Sequence, residues 1–180
     1  VFLLFLQEIV PMLRAYIEWW RKRFILAMTV KFLSGLVIGF GLGVYFLPII
    51  IADSPAAQSV LQAEEAKAEK QALFTPDLPG SDPFHWGDGT LLISDNRVTL
   101  MGEVSPGPDY RLYLTPSYVE TGAGFLEIKA QSREVARITG FKNFSYEIED
   151  GIDLEQYGAV LIWCERFSQF ITAGKLTNRS

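Results

Sequence analysis

Apolar residues crowd the first third of the chain, and from about residue 84 they alternate with polar ones. Residues 32–52, FLSGLVIGFGLGVYFLPIIIA, hold no charged side chain. Rising 1.5 Å per residue, a helix of that length covers about 30 Å, the thickness of a bilayer's hydrocarbon core. A transmembrane helix is therefore predicted over 32–52. The preceding residues 1–31 begin VFLLFLQEIVPML, too short an apolar run to span, and are expected to form an amphipathic segment on the cytoplasmic side or in the interface, interrupted at Pro11.

After the span, Ser54-Pro55 is a helix-start signature and AAQSVLQAEEAKAEKQA is rich in strong helix formers. The stretch TPDLPGSDP then breaks the pattern with three prolines and a glycine. Residues 53–83 thus read as a helical stalk and Pro-rich linker, leaving 84–180 as a separate outer domain.

In that domain the period is two. In RVTLMGEV, Val98, Leu100 and Val104 share one face while Arg97, Thr99 and Glu103 take the other. In FSYEIED, Phe144, Tyr146 and Ile148 alternate with Ser145, Glu147 and Glu149. Such alternation marks half-buried strands. Further strands are predicted at 90–94, 110–114, 125–129, 135–138 and 159–167, with turns at Asp95-Asn96 and Asp150-Gly151. Many short strands separated by turn residues predict a mainly β fold, an antiparallel sandwich or barrel. Residues 159–167 are apolar on both faces, with Val160, Ile162 and Cys164 on one and Ala159, Leu161 and Trp163 on the other, so this strand is expected to be central.

Charge divides at the same place as hydropathy. Residues 1–52 carry a net +3 and the remainder a net −8. The triplet Arg21-Lys22-Arg23, with Trp19 and Trp20 as interfacial anchors, precedes the span and Lys31 sits at its entrance. Basic residues collect on the cytoplasmic side, which places the N-terminus in the cytoplasm and residues 53–180 outside, in the periplasm of a bacterial inner-membrane protein. A cleaved signal peptide has a shorter apolar region and leader, so the run reads as an anchor in the lipid bilayer. Gly35, Gly39 and Gly43 recur every four residues on one helix face, a pattern that permits homo-oligomer packing. An acidic outer domain without clustered Lys or Arg argues against nucleic acid.

Candidate chemistry is sparse. Cys164 is the one cysteine and His85 the one histidine, too few for an intrachain disulfide or a structural zinc site. A cysteine nucleophile needs a histidine base beside it, and His85 belongs to a distant segment, so a hydrolytic enzyme is disfavoured. EIEDGIDLE lacks the spacing of a calcium loop. The conventional ligands of a haem iron in the outer domain are Cys164, His85 and Met101. Each has a plainer reading: Cys164 as core, His85 as an edge residue, Met101 as packing.

The succession WGDGTLLI (86–93), GPDYRLYL (107–114), FKNFSYEI (141–148), DGIDLEQY (150–157) and AVLIWCERFSQFITAGKL (159–176) resembles the electron-transfer DM-thirteen domain. Its most specific pieces are Gly-Pro-Asp before a Leu-Tyr-Leu strand and the closing Trp-Cys-x-x-Phe followed by a second Phe. The resemblance implies extracytoplasmic electron transfer, with Cys164 at the position of the family's suggested redox or haem-ligating cysteine and a membrane redox protein as partner. This chain, with a single copy and no accompanying haem domain, looks like the small membrane-anchored bacterial members. The alternative is a non-catalytic binding or assembly module at the membrane surface with Cys164 buried as core.

Overall fold

The computed structural model describes residues 2–94 and 96–179, with side chains from Val10 onward; Asp95, half of the expected Asp95-Asn96 turn, lies outside the described residues. Helix α1, Phe2–Ile50, is continuous over 49 residues, more than twice the roughly 20 needed to cross a bilayer. It is long and apolar enough to do so, and its most apolar window is almost wholly uncovered by protein. The expected break at Pro11 is absent. A proline removes one backbone N–H from a helix, and the hydrogen bonds on either side carry the helix through.

Two antiparallel sheets follow. The five-stranded sheet is built from β1 (Lys70–Phe74), β2 (Gly87–Ser94), β3 (Arg97–Val104), β6 (Ser145–Glu147) and β9 (Thr177–Asn178), in the order β6-β3-β2-β1-β9. The four-stranded sheet contains β4 (Tyr110–Thr115), β5 (Arg133–Ile138), β7 (Ala159–Cys164) and β8 (Gln169–Lys175), in the order β5-β4-β7-β8. The fold is the expected mainly β, two-sheet one. The core lies between the sheets, where Phe74, Leu91, Ile93, Val98 and Leu100 meet Leu112, Leu114, Val160, Ile162 and Cys164.

A second cluster covers the outer face of the four-stranded sheet. There Tyr113, Leu161, Trp163, Phe170 and Ala173 pack beneath Phe125 of helix α3 (Gly122–Ile128). The face assignment of β7 holds residue by residue, with Val160, Ile162 and Cys164 inward and Leu161 and Trp163 outward. Helix α2 (Gln58–Lys67) lies on the five-stranded sheet, where buried Glu64 accepts a 2.7 Å hydrogen bond from Ser94.

Four local expectations are corrected. The stalk and linker over 53–83 do not stand apart: only Gln58–Lys67 is helical, and Lys70–Phe74 is a strand hydrogen-bonded between β2 and β9. Ala72 and Phe74 point inward and Leu73 outward, a short alternation hidden in an Ala/Glu/Lys stretch that reads as helix. Ser54 is not the cap of α2; Ala57 occupies that position, because the Ala56 amide is drawn to the carbonyl of Asn143. Residues 125–129 are helix and not strand. Thr121 Oγ1 accepts from the Gly124 amide at 3.2 Å and starts the turn that seats Phe125 on the sheet. The last predicted strand also ends at Cys164; the chain then turns through 165–168 and returns as β8.

Candidate functional site

Cys164 is the final residue of β7, opposite Tyr110 on β4 and Gln169 on β8. Its side chain belongs to the inter-sheet core and the residue is 2 % exposed. The turn that follows folds back over the sulfur. Burial raises the thiol pKa above its ordinary 9.0, while the backbone of Phe167, Arg166 and Asp109 pulls it partly back and the Asp109 carboxylate pushes it upward again. The net direction is up, so Cys164 is a protonated thiol at neutral pH. Arg166 is exposed on the turn and acts on the sulfur through its backbone.

Tyr110 closes the other side of the site. Its ring is 1 % exposed, and its hydroxyl lies 3.4 Å from Ser105 Oγ and 3.3 Å from the Pro106 carbonyl. Burial raises its pKa strongly, and the charges of Cys164 and Asp82 add to the rise. The Gly-Pro-Asp motif has a steric reason here, since a Cβ on Gly107 would fall 2.2 Å from the Tyr110 ring. Phe141 meets that ring edge-on at 6.0 Å between centroids. Ser105 accepts from the Trp86 amide at 3.1 Å and so links Tyr110 to the segment holding His85. The His85 ring sits 2.8 Å from Asp82 Oδ2. Burial opposes ionisation of Asp82, but the His85 ring and the Phe84 amide together outweigh it and hold the carboxyl below its ordinary value.

Behind β7, the outer cluster carries charge. Glu165 accepts from Tyr113 at 2.5 Å and from Lys129 at 2.7 Å. Burial works against the Glu165 carboxylate, but these two donors hold its pKa down. The Trp163, Phe125 and Tyr113 rings follow one another at 5.0 and 5.1 Å, with the Lys129 ammonium within about 6 Å of each. Sequence reading missed this network, whose members are distant in the chain; the one local hint is that Glu165 points away from Cys164 by strand alternation.

Of the three residues expected to ligate a cofactor, Met101 and Cys164 lie on different sheets and faces. Met101 pairs with Thr90 on the five-stranded sheet and lies on the face turned away from the core that holds Cys164. His85 reaches the same end of the sandwich as Cys164, but its ring is held by Asp82 on an outer turn. A cleft of about 640 Å³ beside it is lined by Asp77, Asp82, Trp86, Asp88 and Glu103 and does not include Cys164. Met101 therefore does not share the core with Cys164, and the His85 ring is engaged by Asp82.

The thiol and the two phenols give the domain an alkaline limit. Cys164, Tyr110 and Tyr113 all hold their protons more tightly when folded than the ordinary 9.0 and 10.0. An unfolded chain releases these protons first as pH rises, so their stabilisation is complete below the unfolded pKa values and is lost above them. The melting temperature is expected to fall steadily as pH is raised past about 9. In Cys164→Ser the first part of that fall should be smaller, which thermal unfolding at stepped pH measures.

The class is thereby defined: a two-sheet β domain, preceded by a long apolar helix, with a buried thiol at one end of a central strand. The family Electron transfer DM13 matches residues 80–176, and the chain belongs to it. No curated protein and no solved structure matches. The match starts after β1 and ends before β9, so two of the five strands of that sheet lie outside the matched region.

Proposed function

We propose that this chain is a membrane-anchored electron-transfer domain in which the sulfur of Cys164 is the redox group: on oxidation the thiol passes one electron to a redox partner and its proton to solvent, and on reduction it takes back one of each. Helix α1 anchors it in a bacterial inner membrane, with Arg21-Lys22-Arg23 on the cytoplasmic side and the β domain in the periplasm, where a membrane redox protein is its partner. Membership of the family supports the redox role. The observation that carries the assignment to Cys164 is its place at the end of the central strand β7, just before the turn 165–168 and opposite Tyr110, with the backbone of Phe167, Arg166 and Asp109 acting to lower its thiol pKa. Those backbone dipoles favour negative charge on an atom that burial otherwise keeps neutral. Burial also keeps water and a second thiol away from the oxidised sulfur, which favours return over irreversible oxidation.

A second reading, a binding or assembly module with Cys164 as core filling, is favoured by the 2 % exposure of that residue. The two separate in one experiment. The purified full chain is titrated with ferricyanide, denatured in maleimide, and the alkylated fraction of Cys164 is read by mass spectrometry. The redox reading expects loss of free thiol that a reductant restores. Full alkylation after every oxidant step contradicts it and is what the core reading expects.

A further inference from the structure

We infer that the Cys164 end of the β sandwich lies against the lipid headgroups of the bilayer that holds α1, with the turn after Cys164 touching the membrane. The inference rests on the reading of α1 as a membrane span and extends it from the anchor to the domain.

Strand direction defines two ends of the sandwich. At one, β2 and β8 begin while β3, β5 and β7 finish; Cys164, Tyr110 and the turns 82–85, 105–109 and 165–168 all lie there. The chain arrives from α1 at that same end. Only Ile51 and Ala52 separate the helix from Asp53, whose amide donates to the Thr139 carbonyl at 3.1 Å and whose carboxylate accepts from the Thr139 hydroxyl. Thr139 directly follows Ile138, the cross-strand partner of Tyr110. The Ala56 amide donates to Asn143 at 2.8 Å, and a Cβ on Gly140 would lie 3.3 Å from the Asp53 carbonyl. Residues 44–50 of α1 already form one compact unit with the β domain, and Pro48 is buried. The clamp at 53–56 therefore leaves little chain with which to swing this end away from the point where the apolar helix stops.

The surface has the matching chemistry. Among the described residues beyond α1, the two exposed aromatic apolar side chains are Phe84 and Phe167, at 66 and 55 % exposure. They sit on different turns, far apart in sequence, and both turns belong to this end. Arg166 is exposed beside Phe167. Exposed phenylalanine next to arginine suits the headgroup region, where a ring enters the interface and a guanidinium meets lipid phosphate. With this face against lipid, the Cys164 sulfur lies directly beneath a membrane-touching turn, and its redox partner approaches along the bilayer surface.

The full chain in vesicles of phosphatidylcholine and phosphatidylglycerol tests this. In a Cys164→Ser background, with Cys164→Ala as a second background should the first misfold, an environment-sensitive fluorophore is attached to Phe167→Cys, Phe84→Cys, Asn96→Cys or Val37→Cys. Nitroxide lipids, labelled in the headgroup or in the acyl chain, serve as quenchers. Loss of emission with headgroup nitroxide at 84 and 167, with none at 96 on the opposite hairpin, is the expected result. If position 37 is quenched by acyl-chain nitroxide while 84 and 167 behave like 96, the inference fails and the anchor stands. If 37 is not quenched either, anchor and inference fall together. None of these outcomes depends on whether Cys164 carries electrons.

Discussion

Replacing Trp163 with alanine is expected to lower the unfolding free energy by about 3–5 kcal/mol. Trp163 heads the fully buried side chains by volume, at 1 % exposure. Its ring lies 5.0 Å from that of Phe125, and a Cβ on Gly122 would lie 3.5 Å from it, so it joins β7 to the start of α3. Removing it empties the outer cluster and leaves Phe125 and Phe170 without their central neighbour. A loss of this size is a large fraction of the 5–15 kcal/mol that keeps a typical domain folded. The indole N–H, however, is buried with no hydrogen-bond partner. Such a group costs about 1–3 kcal/mol, and Trp163→Phe removes it along with some apolar area. Denaturant unfolding should therefore show Trp163→Phe losing less than half of what Trp163→Ala loses.

Substituting alanine for Gly102 is the second severe change. Gly102 and Gly89 face each other across β2 and β3, at φ +150° and +127°. A Cβ on Gly102 would sit 2.1 Å from the Asp88 carbonyl oxygen, and one on Gly89 would sit 2.3 Å from that of Met101. Neither obstacle is a side chain that can turn aside; each is the neighbouring strand's backbone. Unfavourable dihedrals and a parted ladder together should cost about 2–3 kcal/mol or more. Gly151 supplies the control. It too has positive φ, +73°, but nothing lies within 4 Å of its Cβ position, so Gly151→Ala should cost only about 1 kcal/mol. Equal losses at 102 and 151 would mean that dihedral strain alone sets the effect.

Where alternation ran for six or more residues, as in β3 and β7, the faces of the strands were legible from the chain alone, down to Met101 turning away from Leu100. FLEIK carries the same apolar spacing whether it is helix or strand, and it is the Thr121 cap and the hollow above Trp163 that make it helix. The strand KQALF was masked by helix-forming residues before it and prolines after it; its place between β2 and β9 rests on partners that lie 15 to 108 positions away. The site shows the same division. The motif residues pointed to Cys164, but its pairing with Tyr110 spans 54 residues of chain, and the backbone groups that act on the sulfur depend on how the turn closes. Met101 and His85 were chosen as ligands by residue type, and type does not report which sheet face or turn a residue occupies.

Protein-film voltammetry on the detergent-solubilised full chain and its Cys164→Ser variant asks whether that one sulfur carries the electron. A reversible wave in the parent chain that vanishes in the variant, with both proteins folded by circular dichroism, is the predicted result. A wave that survives the substitution, or none in the parent chain, would contradict the account.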